Sequence, residues 1–235
     1  MKLTEEATEF INTRAKTDHP FFLFYTPDAS HGPVYSSMAF KNKSKRGLIG
    51  DAIQELDWSV GQLLETLDKN GIRDNTLVVF SSDNGAACVG PLEQSGTNGP
   101  LLCCKQTTFD GGMRVPGILS WPGTIKNNQV SSHVGSLMDL FATALDVAGL
   151  SVPTDRIIDG KSLMEVVKYE PTAVFNLRRL SNTYFGTHHA TPNHHTGTHF
   201  FYRGNTLGAV RYGNYKMHIY TWSGATASSK VHFTE

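Results

Sequence analysis

Three polar clusters in this chain each follow or enclose short apolar runs, and each holds residue types suited to charge-bearing chemistry. Ser81-Ser82-Asp83-Asn84-Gly85 follows the run Thr76-Leu77-Val78-Val79-Phe80. A carboxylate beside a carboxamide offers two hard oxygens for Ca²⁺ or Mg²⁺, and Gly85 lets the backbone turn sharply after them. Alone, the tripeptide reads equally as a polar turn closing a strand. His31-Gly32-Pro33 stands just after Pro20-Phe21-Phe22-Leu23-Phe24-Tyr25. Its imidazole can donate a proton to a leaving oxygen, although a loop histidine without a role is the plainer reading of His-x-Pro by itself. The third cluster is Cys104-Lys105-Gln106-Thr107-Thr108-Phe109-Asp110-Gly111-Gly112-Met113-Arg114, followed by Ile118-Leu119-Ser120-Trp121-Pro122-Gly123. Lys105 would supply a flexible point charge for an anion; outside its setting it reads as a solvated surface lysine.

These residues need a scaffold, and the apolar pattern supplies one. Thr4 to Lys16 reads as a helix, with Ala7, Phe10, Ile11 and Ala15 at helical spacing. Phe21–Tyr25 reads as a strand. Arg46 to Lys69 gives the clearest helix: Ile53, Leu56, Val60, Leu63, Leu64 and Leu67 make one stripe, ended by Asn70-Gly71. Strands are predicted over Thr76–Ser82 and Gly117–Trp121, and a helix over Ser136–Gly149. Helix followed by strand, twice over, argues for a mainly parallel sheet covered by helices. Ligands in such sheets bind outside the carboxyl ends of strands, which is where Asp83 and Asn84 fall. Cys88 to Gly112, rich in Gly, Pro, Asn and Thr, is a long loop of the kind that carries function.

Three domain segments follow: 1–168, then 169–200, then 201–235. The middle one carries His188, His189, His194, His195 and His199 among Thr, Asn and Pro. A metal tract is the sharper reading; a poorly ordered insertion is the plainer one, since no framework of other ligands surrounds it. Alternation returns in Phe201–Arg203 and Tyr215–Tyr220, predicting strands of a small antiparallel unit.

Charge excludes several functions. The 21 basic and 21 acidic residues balance, so no net field draws nucleic acid or an anionic membrane. No apolar run is long enough to span a bilayer, and the N-terminus lacks the apolar core of a signal peptide. Cys88, Cys103 and Cys104 make no disulfide framework: an odd count leaves one unpaired, and adjacent Cys103-Cys104 is awkward to bridge. One glycosylation sequon is present, Asn42-Lys43-Ser44, of consequence only in the secretory pathway.

The order of the motifs resembles the sulfatase family, in its arylsulfatase branch: a strand ending in His-x-Pro, a strand ending in Asp-Asn-Gly, then Lys105, Gly-Gly-x-Arg and Trp-Pro-Gly. The likeness runs from about Thr4 to Val166 and resumes from about Phe201 to Trp222. It includes Asp159-Gly160-Lys161-Ser162-Leu163, which is similar to the family's Asp-Gly-x-Ser-Leu segment. The resemblance implies an alkaline-phosphatase-like α/β fold and hydrolysis of sulfate esters on sugars or aryl groups. Asp83 and Asn84 match the family's ligands for one Ca²⁺, Lys105 the lysine that contacts sulfate, and His31 the histidine near the leaving oxygen. Arg114 fits a structural cation beside Gly111-Gly112, and Asp139, near the start of a helix, a local cap or dipole partner rather than a metal ligand. Cys104 stands where the family has glycine, which would crowd the sulfate pocket.

The resemblance also defines what is missing. The family nucleophile is a formylglycine made within Cys/Ser-x-Pro-x-Arg, and no such motif occurs in the chain. The paired N-terminal aspartates of the metal site are absent too. The expectation is therefore the C-terminal part of a sulfatase catalytic domain, inactive alone, with a lysosomal or secreted full-length parent and a homodimer as one option for that parent. A non-catalytic pseudoenzyme or binding module is the first alternative. A phosphodiesterase-like member of the alkaline phosphatase superfamily is the second; the Lys105 and Gly-Gly-x-Arg wording argues against it.

Overall fold

The structure, a computed structural model, describes residues 2–131, 133–169 and 198–221. The chain divides into two compact units. One holds the chain up to Val78 with Val89–Gly96 and Trp121–Gly123; the other holds Val79–Cys88, Thr97–Ser120 and the chain from Thr124.

The first unit is built on two helices, α1 (Lys2–Arg14) and α2 (Leu48–Lys69). Ile11 is almost fully buried on α1, and Ile49, Ala52 and Leu67 on α2. Between them sits a knot of hydroxyls. Thr4 Oγ1 lies 2.9 Å from Ser59 Oγ, which lies 2.6 Å from the Tyr25 hydroxyl. Burying the Thr4 and Ser59 hydroxyls is tolerable because each satisfies the other and the half-buried Tyr25 hydroxyl joins them. At the far end, Asn70 Nδ2 donates to Asn12 Oδ1 (2.7 Å), and α2 stops at Gly71, whose positive φ of 68° suits glycine. The predicted stripe of α2 is only partly right. Ile53 is exposed, and the buried line instead runs through Ala52, Ser59, Thr66 and Leu67.

Phe21–Tyr25 was expected to be a strand and is not one: the segment is extended but joins no ladder among the described residues. Its alternation is real. Phe21, Leu23 and Tyr25 are half-buried, with Phe21 edge-on to Phe10 at 5.7 Å, while Phe22 and Phe24 are 74% and 78% exposed. Period-two patterning fixes which side chains turn inward; it cannot supply a hydrogen-bonding neighbour.

The turn ahead of α2 is fastened through its backbone. Asp51, buried in the first turn of the helix, accepts the amides of Asn42 (2.8 Å), Lys43 (3.0 Å) and Ser44 (2.7 Å). These bonds hold its carboxyl below the usual range, the Ser44 amide contributing most.

In the second unit, β1 (Val78–Ser81, whose first residue belongs to the other unit) pairs with β2 (Gly117–Ser120), both shorter than predicted. The short helix α3 (Asp110–Met113) precedes β2. The helix expected from Ser136 starts at Asp139, giving α4 (Asp139–Val147). Asp139 does not cap α4: it is the helix's first residue, Met138 holds the cap position, and among the described residues no side chain bonds a first-turn amide. The Asp139 carboxylate accepts the Ser136 amide (2.6 Å) and the Lys161 amide (2.9 Å), tying the Asp159–Leu163 segment to α4 ahead of α5 (Met164–Tyr169). Three antiparallel strands close the described chain: β3 (Thr198–Arg203), β4 (Thr206–Tyr212) and β5 (Tyr215–His218). Of the histidine-rich tract, only His199 lies within the described residues, on β3; His188, His189, His194 and His195 lie outside them.

Candidate active site

Asp83 and Asn84 stand on the turn that leaves β1. Asp83 Oδ1 accepts the Asn84 amide (2.9 Å), and Asn84 Nδ2 donates to the Gly85 carbonyl (2.9 Å). Among the described residues this leaves Asp83 Oδ2 and Asn84 Oδ1 over, the first on an exposed side chain and the second on a half-buried one. Both are the hard oxygens a Ca²⁺ ion takes, but such an ion needs about six to eight. Among the described residues no group of three or more His, Cys, Asp or Glu is placed to hold a metal. The pair fits part of a coordination shell and no more.

Lys105 is brought to the same place by backbone. Its amide donates to the Ala86 carbonyl at 3.0 Å, one residue beyond the Asp-Asn-Gly turn. Asn98 reinforces the contact: its Oδ1 accepts the Ala86 amide (2.8 Å), while Nδ2 donates to the carbonyls of Ala86 (3.1 Å) and Cys103 (3.1 Å). Gly85 N–H donates to Gly112 O (2.9 Å) and Gly111 N–H to Leu102 O (2.8 Å). Three backbone segments therefore lie against one another. A Cβ on Gly85 would overlap the Gly111 carbonyl, and one on Gly111 would overlap the Cys103 carbonyl. Only glycine permits that approach. This gives the Gly-Gly of the third cluster its purpose.

A covalent tie that the residues alone did not reveal crosses this segment. Cys88 and Cys104 form a disulfide, with Cα atoms 5.8 Å apart and a sequence separation of 16. The expectation of no disulfide framework is corrected. An odd cysteine count hides a pair when the bridging partners are Cys88 and the second, not the first, of two neighbours. Cys104 stands immediately before Lys105, and its sulfur is bonded to Cys88. Cys103 remains a thiol, half-buried, and burial pushes its pKa up. The chain on either side of Lys105 is strained: Cys103 and Gln106 adopt positive φ of 62° and 75°. Each such residue costs about 1 kcal/mol or more, and strain of this kind collects at functional sites.

Behind α3, Lys216 of β5 reaches Asp110 Oδ1 at 3.0 Å and lies 4.1 Å from the centre of the Phe201 ring. Burial pushes the Lys216 ammonium below the ordinary lysine range, against the pull of Asp110. His218 stacks on Phe109 at 4.3 Å, and its Nδ1 lies 3.3 Å from Thr108 Oγ1. Burial first, then the Lys216 charge, push its pKa below 6.5. The antiparallel sheet is thus bonded to the Lys105–Arg114 segment. Arg114 is half-buried there.

His31 belongs to the first unit and is described within it alone. It is exposed, and Nδ1 lies 2.8 Å from the Gly32 carbonyl. That carbonyl can only accept, and an imidazole N–H can donate to it. Of the four sequence-predicted site residues, the structure brings together Asp83, Asn84 and Lys105.

A turn bearing hard oxygens is thus fastened to a lysine loop at the end of a strand. The sulfatase family profile matches residues 1–150, and that for the C-terminal part of N-sulphoglucosamine sulphohydrolase matches residues 102–222. The chain belongs to the sulfatase family. It is similar to N-acetylgalactosamine-6-sulfatase of Mus musculus, 47% identical over 94% of this chain, and spans 38% of that protein's length. Among solved structures it resembles the PsFucS1 sulfatase from Pseudoalteromonas sp., at 26% identity and a TM-score of 0.76, over 95% of this chain and 41% of that one. It also resembles Ps i-CgsB in complex with k-i-k-neocarrahexaose, at 34% identity and a TM-score of 0.62, over 69% of this chain and 36% of that one. These neighbours place the described elements in the alkaline-phosphatase-like α/β fold of sulfatases.

Proposed function

We propose that this chain carries the sulfate-binding part of a hydrolase acting on sulfate esters of sugars, of the N-acetylgalactosamine-6-sulfatase type. The observation that carries the reading is the fastening of Lys105, through its own amide, one residue beyond Asp83-Asn84-Gly85. The similarity to a sugar 6-sulfatase and to a protein solved with a carrageenan-type oligosaccharide supports the substrate class.

The roles follow from the chemistry of each group. Lys105 places a positive charge on the sulfate oxygens, where negative charge must be held as the ester breaks. His31 serves as the proton donor to the leaving oxygen. Asp83 and Asn84 would provide two of the ligands of one Ca²⁺, which when bound would offset sulfate charge as a Lewis acid. The nucleophile and the remaining ligands are assigned to sequence beyond these 235 residues, consistent with the share of the relatives that the chain spans. No helix among the described residues is long and apolar enough to cross a membrane. The Cys88–Cys104 bridge supports a lysosomal or secreted enzyme, since disulfides persist in oxidising compartments.

The test joins this chain to an N-terminal sulfatase segment carrying the formylglycine motif and paired aspartates. The joined protein should release sulfate from 4-nitrocatechol sulfate, and the chain alone should not. Lys105→Ala should cost the joined enzyme about two to three decades of rate, the usual loss for one preorganised charge contact to a transition state. Turnover by the chain alone that survives Lys105→Ala would overturn the proposal.

A further inference from the structure

We propose that Asn42 is an N-glycosylation site, modified before the turn that carries it closes on α2. The proposal rests on the reading of the parent as a secretory-pathway protein. Asn42-Lys43-Ser44 is the chain's one acceptor sequence, and its middle residue is not proline. Asn42 is exposed, and its side chain makes no hydrogen bond among the described residues. Its φ of 59° is left-handed, a conformation asparagine tolerates better than most residues. What holds the turn is backbone: the three sequon amides donate to Asp51. A sugar on Nδ2 would disturb none of these bonds.

The same geometry sets the order of events. Ser44 is half-buried, its Oγ accepts the Arg46 amide at 3.1 Å, and a Cβ on Gly50 would overlap it. The acceptor hydroxyl that a transferase must read is covered once α2 is in place. Transfer therefore belongs to the interval before Asp51 gathers the sequon amides. In that step a bond forms between Asn42 Nδ2 and the anomeric carbon of a lipid-pyrophosphate-linked oligosaccharide. The lipid pyrophosphate leaves with the bonding pair, and Nδ2 gives up one proton.

The test translates the whole chain behind a cleavable secretory leader in the presence of microsomes. Protease-protected chain should carry one endoglycosidase-sensitive glycan, abolished in N42Q and S44A and kept in S44T. Asp51→Ala, which opens the clamp, should leave occupancy equal or higher, and this reads out whether or not that variant folds. Folded chain added to microsomes opened with detergent should gain no glycan. Protected, leader-cleaved chain without a glycan, or a mobility shift that persists in N42Q, would overturn the assignment. A chain that enters the microsomes unglycosylated but forms Cys88–Cys104 would sink this proposal and leave the compartment reading standing.

Discussion

Replacing Cys88 by serine should loosen the Lys105 segment without unfolding the helices. The bridge spans 16 residues. With that loop length, the chain-entropy relation gives about 10 cal/mol/K, or about 3 kcal/mol at room temperature, lost from the opened state. If that difference acts locally, opening of the loop becomes about a hundredfold more populated in Cys88→Ser. The Lys105 amide, bonded to Ala86, and the Ala86 amide, bonded to Asn98, report the opening directly. Amide hydrogen exchange of the oxidised chain and the variant should show both amides exchanging about two decades faster, with the middle of α2 unchanged. Equal exchange at Lys105 in both proteins would show that the bridge does not hold the site. A parallel rise through α2 would show a global effect and refute the local reasoning.

Further outcomes follow from the same contacts. Asn98→Ala should raise exchange at Ala86 and Lys105 by about tenfold or more, since it removes the side chain's bonds to the Ala86 amide and carbonyl and to the Cys103 carbonyl, about 1 kcal/mol each, while the bridge remains; exchange unchanged at both amides would contradict this. Calorimetric titration of the 235-residue chain with Ca²⁺ should show no tight binding, because Asp83 and Asn84 supply two donors of the six to eight required; a sub-micromolar constant lost in Asp83→Ala would mean that the chain completes its own site. The exposed Phe22 and Phe24 should make the isolated chain self-associate, as seen by light scattering; a reversible two-state melt of a monomer would oppose that. Because burial lowers the His218 pKa, its contribution to stability is complete above the unfolded value near 6.5 and is lost as pH falls through the lower folded value. His218→Leu should flatten that acid-side loss in thermal melts, and an unaltered pH profile would show that His218 does not drive it.

Much of this was legible in the residues. The apolar stripe and the Asn70-Gly71 stop located α2, and the run before Asp83 located β1, because periodicity and end signals are local properties. The order of the motifs pointed to a sulfatase resembling N-acetylgalactosamine-6-sulfatase, as the comparisons show. Phe21–Tyr25 failed as a strand because pairing is a relation between segments, and alternation describes only one of them. Asn98 left no trace beyond an Asn-Gly turn, since its role lies in two carbonyls and one amide distant from it in sequence. Cys88–Cys104 was hidden by its neighbour Cys103. Lys216 reads as a strand lysine until the fold sets it against Asp110 and Phe201.

The loop that presents Lys105 shows how a charged contact can be held without regular secondary structure. A lysine is a poor preorganised group by itself, since its stem has many rotamers to lose. What the chain can fix is the backbone from which the stem departs. Here it is fixed by a disulfide at the preceding residue, by an amide bond from Lys105 itself, and by Asn98 spanning both sides. The glycines permit the close stacking that makes these bonds possible, and the Lys216–Asp110 contact holds the next segment. Electrostatic stabilisation is largest when charge need not move to meet the transition state. A loop tied at its backbone on both sides of the lysine meets that condition for the main chain, and leaves only the side chain to be ordered by an anion under the proposed function.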